Sequence, residues 1–384
     1  MKTRLNSDRI VLRDSLFDGY VYVSDGRIAG VSAKAAPADE EFDFTGLFLS
    51  PGFIDIHTHG GGGHAFADSS PSEVIAGCDF HLSHGTTSIL PTVSSSPFAD
   101  MKRSLENIAE AMRSGGSMAN IIGAHLEGPY LSQAQSGAQH ADYLTPPNPE
   151  EYLPLVEEYL PFIKRWTYAP ELDPGGEFCR FLTERGIIAS PGHTDAKYSD
   201  MLTAAESGAK LVTHLYSCTS TVTRRQGFRT PGVIESVFLL DAYTAEIIAD
   251  GRHLPPELIK MILKIKGPDR VIAVTDSLSV AGSDIKSGRM CGTDFIIEEG
   301  VARLPDRSAF VGSIATGDIL VRTLVRDCGL ALPEAIRLVS ANPARLLGLG
   351  KGEIREGFDA DLAVFDNFFD VSDVFVAGKR VSGR

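Results

Sequence analysis

The 384-residue sequence contains no apolar run of about 20 residues, the length that a membrane-spanning helix requires. No apolar core follows the basic residues near its start, so we expect no secretory signal peptide. The five cysteines are scattered without a CxxC pair, and we expect reduced thiols in the cytoplasm. Low-complexity tracts are also absent, and the apolar fraction of 43% is that of a globular protein.

The sequence has fewer basic than acidic residues. The chain has 36 Lys and Arg residues against 50 Asp and Glu residues, a formal net charge of −14. A surface this negative repels nucleic-acid backbones and anionic membranes, so we expect neither as a partner. An anionic small-molecule substrate would need a local basic pocket.

Strand-like segments with tight turns occupy both ends of the chain. Asp25-Gly26 lies between alternating apolar residues, which is a strong hairpin signal. Stretches within residues 352–381 repeat this style, with alternating apolar positions and glycine turns. We predict one small β-sandwich domain built from both termini, residues 1–52 and 345–384.

The middle of the chain alternates short apolar runs with helix-like segments such as residues 101–115 and 255–267. The candidate strands span residues 53–57, 87–93, 120–126, 164–169, 186–192, 210–215, 245–250 and 270–276. Eight strands alternating with helices predict an α/β fold, a (β/α)8 TIM-like barrel over residues 53–344. A doubly wound open sheet stays an alternative, although no GxGxxG turn follows the first strand.

Histidines and carboxylates stand at the carboxyl ends of several predicted strands. They are His57, His59, Glu127, His193, His214 and Asp276. In a barrel these strand ends surround the mouth, so residues distant in sequence converge there. Imidazole and carboxylate together suit Zn²⁺ or a similar divalent ion. A lone histidine such as His84 or His125 is more often a structural residue, whereas the six together predict a metal site.

Several motifs resemble those of the amidohydrolase superfamily. They are PGFIDIHTHG, HLEGPY, GHTDAKY, THLYS and NPARLLGLG followed by GEIREGFDADLAVFD. Within the superfamily the sequence is most similar to the N-acetylglucosamine-6-phosphate deacetylase family. The glutamate of HLEGP is the most specific element, because many amidohydrolases carry a carboxylated lysine after the fourth strand instead. Here Lys164 lies at the opposite end of that strand, which argues against the dihydroorotase and hydantoinase branches.

The resemblance implies a divalent metal cofactor. Glu127, His193 and His214 would hold the principal ion. His57 and His59 would add a second ion bridged by Glu127, and whether one or two ions bind is left open. Zn²⁺ is expected, with Fe, Mn and Co as alternatives, because the same donors accept all of them.

The resemblance also implies a reaction: hydrolysis of N-acetylglucosamine 6-phosphate to glucosamine 6-phosphate and acetate. A divalent ion lowers the pKa of bound water towards about 7, which supplies hydroxide as the nucleophile. Asp276 would act as general base and then as general acid, because the departing amine must leave protonated.

Three further residues are candidates for binding the sugar. The family uses a histidine after the seventh strand to touch substrate, which matches His253. Gln139, in SGAQH, matches the segment that covers the sugar, and the adjacent His140 could take that role instead. A solvated loop position is the alternative for each.

The segment THLYSCTSTVTRRQGFRTPG departs from the family pattern for phosphate binding. Ser217 and Cys218 replace an Asn-Ala pair, and Arg229 stands for an arginine that reaches the phosphate across a dimer interface in the family. A homodimer is therefore expected. Arg224 and Arg225 add to this cationic cluster, although a solvated charged loop is the alternative.

The substrate and even the reaction keep alternatives at this point. N-acetylgalactosamine 6-phosphate, or another N-acyl or cyclic amide, would suit the same metal chemistry. A non-catalytic barrel stabilised by its metal is a further alternative, but it would have no use for Asp276 as a proton carrier.

Overall fold

The computed structural model describes residues 2–383, without the side chains of Arg225 and Ser382. Its strands are, in chain order, β1 (Lys2–Val11), β2 (Leu16–Ser24), β3 (Arg27–Ser32), β4 (Glu40–Asp43), β5 (Phe48–Pro51), β6 (Phe53–Thr58), β7 (Gly60–Gly61), β8 (His64–Ala65), β9 (Thr86–Ser94), β10 (Asn120–Ile121), β11 (Ala124–Glu127), β12 (Ile163–Tyr168), β13 (Ile188–Pro191), β14 (Leu211–Val212), β15 (Thr223–Arg225), β16 (Phe228–Thr230), β17 (Thr244–Ile248), β18 (Val271–Val274), β19 (Ser287–Met290), β20 (Thr293–Glu298), β21 (Val301–Arg303), β22 (Leu362–Phe365), β23 (Val371–Val376) and β24 (Lys379–Gly383).

The helices lie mainly between the strands of the middle region. They are α1 (Pro71–Leu82), α2 (Phe98–Ser114), α3 (Pro149–Tyr159), α4 (Glu177–Thr183), α5 (Tyr198–Glu206), α6 (Val233–Leu239), α7 (Pro256–Lys266), α8 (Gly317–Arg326), α9 (Leu332–Val339) and α10 (Ala341–Leu347). Helix α1 begins with a capping box, in which Glu73 accepts a hydrogen bond of 2.8 Å from the Ser70 backbone N–H. Within residues 2–383, no helix has the length and apolar character needed to cross a bilayer.

Both ends of the chain join in one sheet with the order β24-β23-β22-β5-β1-β2-β3, and β4 pairs with β1. The two ends meet where Leu49 of β5 lies opposite Val364 of β22. The predicted hairpin turn is present between β2 and β3, since Asp25 and Gly26 have φ values of 52° and 77°. Such left-handed angles are those of a two-residue hairpin loop.

The sheet of the termini folds over its own apolar core. Phe42 and Phe44 pack edge-on against Phe375 of β23, with ring centroids 5.3 and 6.0 Å apart, although β4 and β23 are not neighbours in the sheet. This packing confirms the predicted small β-sandwich of both termini. The division of the chain after residues 52 and 344 stays a prediction.

Within the described residues, eight parallel strands form a closed barrel from β6, β9, β11, β12, β13, β14, β17 and β18. Backbone hydrogen bonds close it on both sides: Thr213 N–H donates to Pro191 O at 2.8 Å, and Asp276 N–H donates to His57 O at 2.9 Å. The predicted barrel is therefore confirmed, and closure excludes the open sheet. The third predicted strand is divided at Gly123 into β10 and β11, where φ is 139°.

Successive residues of each barrel strand face opposite cores. Ile247 of β17 packs under the outer helices, whereas Ile248 belongs to a separate inner cluster. The buried strand residues of that inner cluster are Ile54, Ile56, Leu90, Leu211, Ile248, Ile272 and Val274. A polar layer of buried side chains also lies inside the barrel, and it supports the site described below.

The chain forms a small antiparallel sheet of β19, β20 and β21 after the last barrel strand. Its apolar core comprises Leu278, Val280, Phe295, Ala302 and Val311. The sequence patterns did not predict these strands. They matter for function because Met290, at the end of β19, contributes to the wall of the main cavity.

Candidate metal centre and active site

The barrel brings together the six histidines and carboxylates expected from the strand ends. Three of them follow their strand with a left-handed backbone: φ is 45° at His193, 26° at His214 and 49° at Asp276. Non-glycine residues adopt such angles at a cost of about 1–3 kcal/mol each, and they cluster at functional sites. All six side chains are buried or nearly so.

One group of donors surrounds an oxygen of Glu127. Glu127 Oε1 lies 3.1 Å from His214 Nε2 and 3.3 Å from His193 Nε2, and the two imidazole nitrogens are 3.2 Å apart. Donors in a tetrahedral zinc site, with bonds of about 2.1 Å, are about 3.4 Å apart. The three atoms are therefore spaced as ligands of a single divalent ion.

A second group lies beside the first and shares Glu127. His59 Nε2 is 3.0 Å from Asp276 Oδ1 and 3.4 Å from Glu127 Oε2. His57 Nε2 is 3.4 Å from Asp276 Oδ1 and 3.3 Å from Glu127 Oε1, and it makes no hydrogen bond within the described part of the chain. A buried nitrogen without a hydrogen-bond partner suits a ligand position. The donor set as a whole could bind a divalent metal.

In three of the histidines the Nδ1 atom contacts a neighbouring residue, so that the Nε2 atom of each ring faces the oxygens of Glu127. The Nδ1 contacts are His57 to Glu246 Oε1 (2.9 Å), His59 to Ser94 Oγ (2.8 Å) and His193 to the carbonyl oxygen of Gln135 (3.0 Å). A carboxylate and a carbonyl can only accept, so His57 and His193 carry their proton on Nδ1. The Nε2 lone pair of each is then free for a metal.

The electrostatics of the cluster also favour a cation. Burial alone would lower the pKa of His57, but the carboxylates of Glu127 and Asp276 outweigh it and raise the pKa to about 10. Burial would raise the pKa of Asp276, but His57 and His59 outweigh it and lower the pKa to about 2. The carboxylates thus hold positive charge close to them, which a divalent ion supplies in exchange for protons.

Gln139 is buried against this cluster, and both ends of its amide are engaged. Its Nε2 donates to Glu127 Oε2 at 2.9 Å, and its Oε1 accepts from the Ser95 backbone N–H at 3.1 Å. The side chain therefore fixes the second oxygen of the shared carboxylate. His140 points elsewhere and stacks on Tyr143 at 4.8 Å, with 37% of its side chain exposed.

A cavity of about 400 Å³ opens beside the cluster. Ser217 and Cys218 belong to its wall, as do Gln139 and His253. Asp250 Oδ2 accepts a 2.8 Å hydrogen bond from His253 Nδ1, so Nε2 is the free nitrogen of that ring. An open cavity next to metal-type donors suits the binding of a small molecule.

Arg224 and Arg229 of the predicted arginine cluster do not line this cavity. The described residues of the cavity wall include no lysine or arginine. Arg224 and Arg229 face each other across the hairpin of β15 and β16, where both are exposed. Arg229 Nη1 donates to Gly227 O at 2.9 Å, and the side chain of Arg225 lies outside the described residues.

Sequence reasoning missed several residues that build the site. Ser308 and Phe310 line the cavity from the segment that follows β21. This segment carries no apolar run or motif that would have marked it as part of the site. Arg165 and Glu246 lie inside the barrel behind the histidines. Their signal was available, because a charged residue within a short buried strand requires a partner.

His125 and His84, which were expected to be structural, each have hydrogen-bond partners away from the cavity. His125 lies inside the barrel with its ring nitrogens 2.7 Å from Thr167 Oγ1 and 3.1 Å from Thr92 Oγ1. His84 Nδ1 lies 3.0 Å from Asp318.

Comparison with known proteins agrees with this architecture. The sequence pattern of the amidohydrolase family matches residues 48–381. The N-acetylglucosamine-6-phosphate deacetylase of Lysinibacillus sphaericus is 32% identical over 369 residues, covering 96% of this chain and 94% of the relative. The N-acetylgalactosamine-6-phosphate deacetylase of Escherichia coli O157:H7 is 26% identical over 382 residues, covering 98% and 99%. The crystal structure of N-acetyl-D-glucosamine-6-phosphate deacetylase from Mycobacterium smegmatis superposes with a TM-score of 0.92 at 31% identity, covering 99% and 100% of the two chains.

Proposed function

Because the chain belongs to the amidohydrolase family, in its N-acetylglucosamine-6-phosphate deacetylase branch, we propose that it hydrolyses the N-acetyl amide of an amino-sugar 6-phosphate. The products are acetate and the free amino sugar phosphate. The observation that carries the proposal is the position of Asp276, whose carboxylate lies 3.0 Å from His59 at the wall of the main cavity. A proton carrier beside metal-type donors is the arrangement that amide hydrolysis requires.

In this proposal Glu127, His193 and His214 would hold one ion, and His57 and His59 would hold a second ion together with Glu127. The donor separations of 3.1–3.4 Å support both positions. A bound divalent ion polarises a carbonyl oxygen and lowers the pKa of water. Zinc suits this nitrogen and oxygen donor set, as do iron, cobalt and manganese.

Asp276 carries the proton in the proposed reaction. Its carboxylate accepts a proton from the attacking water as the new C–O bond forms at the acetyl carbon. It then delivers that proton to the sugar nitrogen as the C–N bond breaks, because an unprotonated amine is a poor leaving group. The backbone bond from Asp276 N–H to His57 O at 2.9 Å holds this residue against the histidine cluster.

The remaining substrate contacts follow from the cavity wall. We assign His253 to the sugar, because Asp250 fixes its ring and leaves Nε2 free beside the cavity. Ser217 and Cys218 are candidates for the same face of the substrate. Gln139 lines the cavity as well, although its amide already holds Glu127, and a substrate role for His140 stays a prediction.

No lysine or arginine of the described residues lines the cavity, so the phosphate has no cationic partner among them. We propose a homodimer in which the β15–β16 hairpin of one copy brings Arg229 to the cavity of the other. Phe228 supports this arrangement, because it is 77% exposed and offers an apolar anchor beside the arginine.

Release of acetate tests the function directly. Metal-loaded protein should turn over N-acetylglucosamine 6-phosphate much faster than N-acetylglucosamine, because the phosphate supplies binding energy. N-acetylgalactosamine 6-phosphate belongs in the same assay, since the Escherichia coli relative is named for that epimer. Metal-loaded protein that hydrolyses none of these sugars would refute the proposed function.

Replacing Arg229 with alanine should raise the KM for the phosphorylated sugar about 10- to 100-fold, since hydrogen bonds to charged groups contribute about 1.5–3 kcal/mol. The KM for unphosphorylated sugar should change little. Arg185→Ala is the control, because Arg185 is an exposed arginine outside the hairpin. If both variants raised KM equally, or if Arg229→Ala raised KM equally for both substrates, Arg229 would not be part of the phosphate site.

Mixed dimers separate a contact within one chain from a contact across the interface. Arg229→Ala and Asp276→Asn subunits, combined in one dimer, leave one cavity with an intact Asp276 and the partner's intact arginine. The mixed dimer should then hydrolyse the phosphorylated sugar at that cavity with the KM of the parent. Failure of the mixture to regain the parent KM would contradict the shared site.

A further inference from the structure

A buried ion pair lies inside the barrel behind the histidine cluster. Arg165 of β12 and Glu246 of β17 are both 0% exposed. Arg165 Nη1 donates to Glu246 Oε2, and Nη2 donates to Oε1 at 3.1 Å. The pair is bidentate and spans the barrel interior between its fourth and seventh strands. Neither side chain belongs to the wall of the main cavity among the described residues.

Glu246 reaches both groups of metal-type donors through a single oxygen. Oε1 accepts from His57 Nδ1 at 2.9 Å and from the backbone N–H of His214 at 3.1 Å. The carboxylate therefore fixes the ring of one histidine and the main chain of the other. Because a carboxylate can only accept, it also requires the proton of His57 to lie on Nδ1.

Arg165 contacts the residues that precede the same two histidines. Nη1 donates to the carbonyl oxygen of Ile56 at 3.2 Å, and Nη2 donates to Thr213 Oγ1 at 2.8 Å. The pair thus connects the ends of β6 and β14, two strands that are separated in the barrel. If the pair served folding alone, its contacts would have no reason to meet at both groups of metal-type donors.

We propose that Glu246, held by Arg165, is a positioning residue that sets the tautomer of His57 and the placement of His214 for metal binding. The proposal rests on the proposed metal-dependent function, because it concerns the same donors. Partners behind metal-binding histidines commonly change metal affinity about 10- to 100-fold when they are replaced. Glu246 is not among the described residues of the cavity wall, so it acts on the site through its contacts with His57 and His214 rather than by touching substrate.

Glu246→Gln tests the proposal with little change in volume. A glutamine must turn its NH₂ group either to Arg165 or to the donors from His57 and His214, so a donor faces a donor in both orientations. We expect the ion at His57 and His59 to bind about 10- to 100-fold more weakly, measured by titration of metal-free protein with Zn²⁺ against a chromophoric chelator. In the Zn²⁺-loaded protein, the ¹H and ¹⁵N shifts of the His57 Nδ1–H group should also change, because the carboxylate oxygen that accepts this proton at 2.9 Å is replaced.

Asp361→Asn is the matched control, because it breaks another buried pair away from the cluster. Lys351 Nζ lies 2.6 Å from Asp361 Oδ2, and the side chains are 9% and 3% exposed. This variant should lower the unfolding temperature but leave both Zn²⁺ affinities unchanged. Equal Zn²⁺ affinities in Glu246→Gln and the parent, or equal losses in Glu246→Gln and Asp361→Asn, would overturn the proposal.

A double variant covers the case in which Glu246→Gln does not fold, since breaking a buried ion pair by removing one partner is strongly destabilising. Arg165→Met with Glu246→Gln removes both charges together. Weakened Zn²⁺ binding by the folded double variant supports the positioning role, and parent affinity overturns it. These titrations need no substrate, so a parent that binds Zn²⁺ tightly but hydrolyses no sugar would refute the proposed function alone.

Discussion

Glu127→Gln is expected to lose most of its bound metal and at least about a thousandfold in kcat/KM, because metal catalysis contributes several kcal/mol and each 1.4 kcal/mol is a factor of ten. Glu127 is the one side chain common to both groups of donors. Its Oε1 lies 3.1 Å from His214 Nε2, and its Oε2 lies 3.4 Å from His59 Nε2. No other carboxylate in the described site is shared in this way.

The substitution keeps the volume of the side chain, so packing is preserved while the charge is lost. An amide nitrogen in place of Oε2 would face the NH₂ group of Gln139, so that two donors oppose each other. An amide nitrogen in place of Oε1 would lie between the histidines, where it has no lone pair to offer an ion. Metal content by mass spectrometry, together with kcat/KM, measures the effect, with Glu298→Gln as a surface control. Full occupancy and a parent rate would overturn the assignment of Glu127 as a ligand.

Asp276→Asn is expected to lower kcat about 10²- to 10⁴-fold while leaving substrate binding near that of the parent. Asparagine retains an oxygen in the position of Oδ1, which lies 3.0 Å from His59 Nε2. It cannot carry a proton between water and the leaving amine. The expected result is therefore a folded, metal-containing protein that binds the sugar phosphate and does not turn it over.

Calorimetric binding of the sugar phosphate, measured beside kcat, separates a proton carrier from a metal ligand. Loss of metal in parallel with activity would make Asp276 chiefly a ligand. Activity within tenfold of the parent would remove it from the proton transfer. A parent without hydrolase activity, whose Asp276→Asn variant loses both metal and fold, would favour the non-catalytic barrel.

The sequence was sufficient for the fold because each barrel strand is a short apolar run followed by a turn or helix. Helix α2 lies within three residues of its predicted bounds at either end, and the Asp25-Gly26 turn is where the hairpin signal placed it. The exception is the sheet of β19–β21. Its strand β19 has no buried residue, so no periodic apolar pattern marks it.

The candidate site likewise contains residues that the sequence predicted and residues that it did not. The six donors were visible because strand ends of a barrel converge, whatever the distances between them in sequence. The partners behind them were not visible, since Glu246 is 189 residues from His57 and only the folded barrel brings them together. The arginines illustrate the converse: residues adjacent in sequence share an exposed hairpin, and proximity in sequence did not put Arg229 at the cavity of its own chain.

Pairing between the two ends of the chain also has a kinetic consequence during translation. Strand β5 meets β22 through Leu49 and Val364, so the N-terminal strands wait for almost the whole chain to emerge from the ribosome. At about 5–20 residues per second this wait lasts roughly 15–60 s. The edge of β5 stays without that neighbour throughout, and an unpaired edge is a template for association with other chains. The nascent protein is therefore most exposed to aggregation before its last strands are made, and protection by chaperones matters most in that interval.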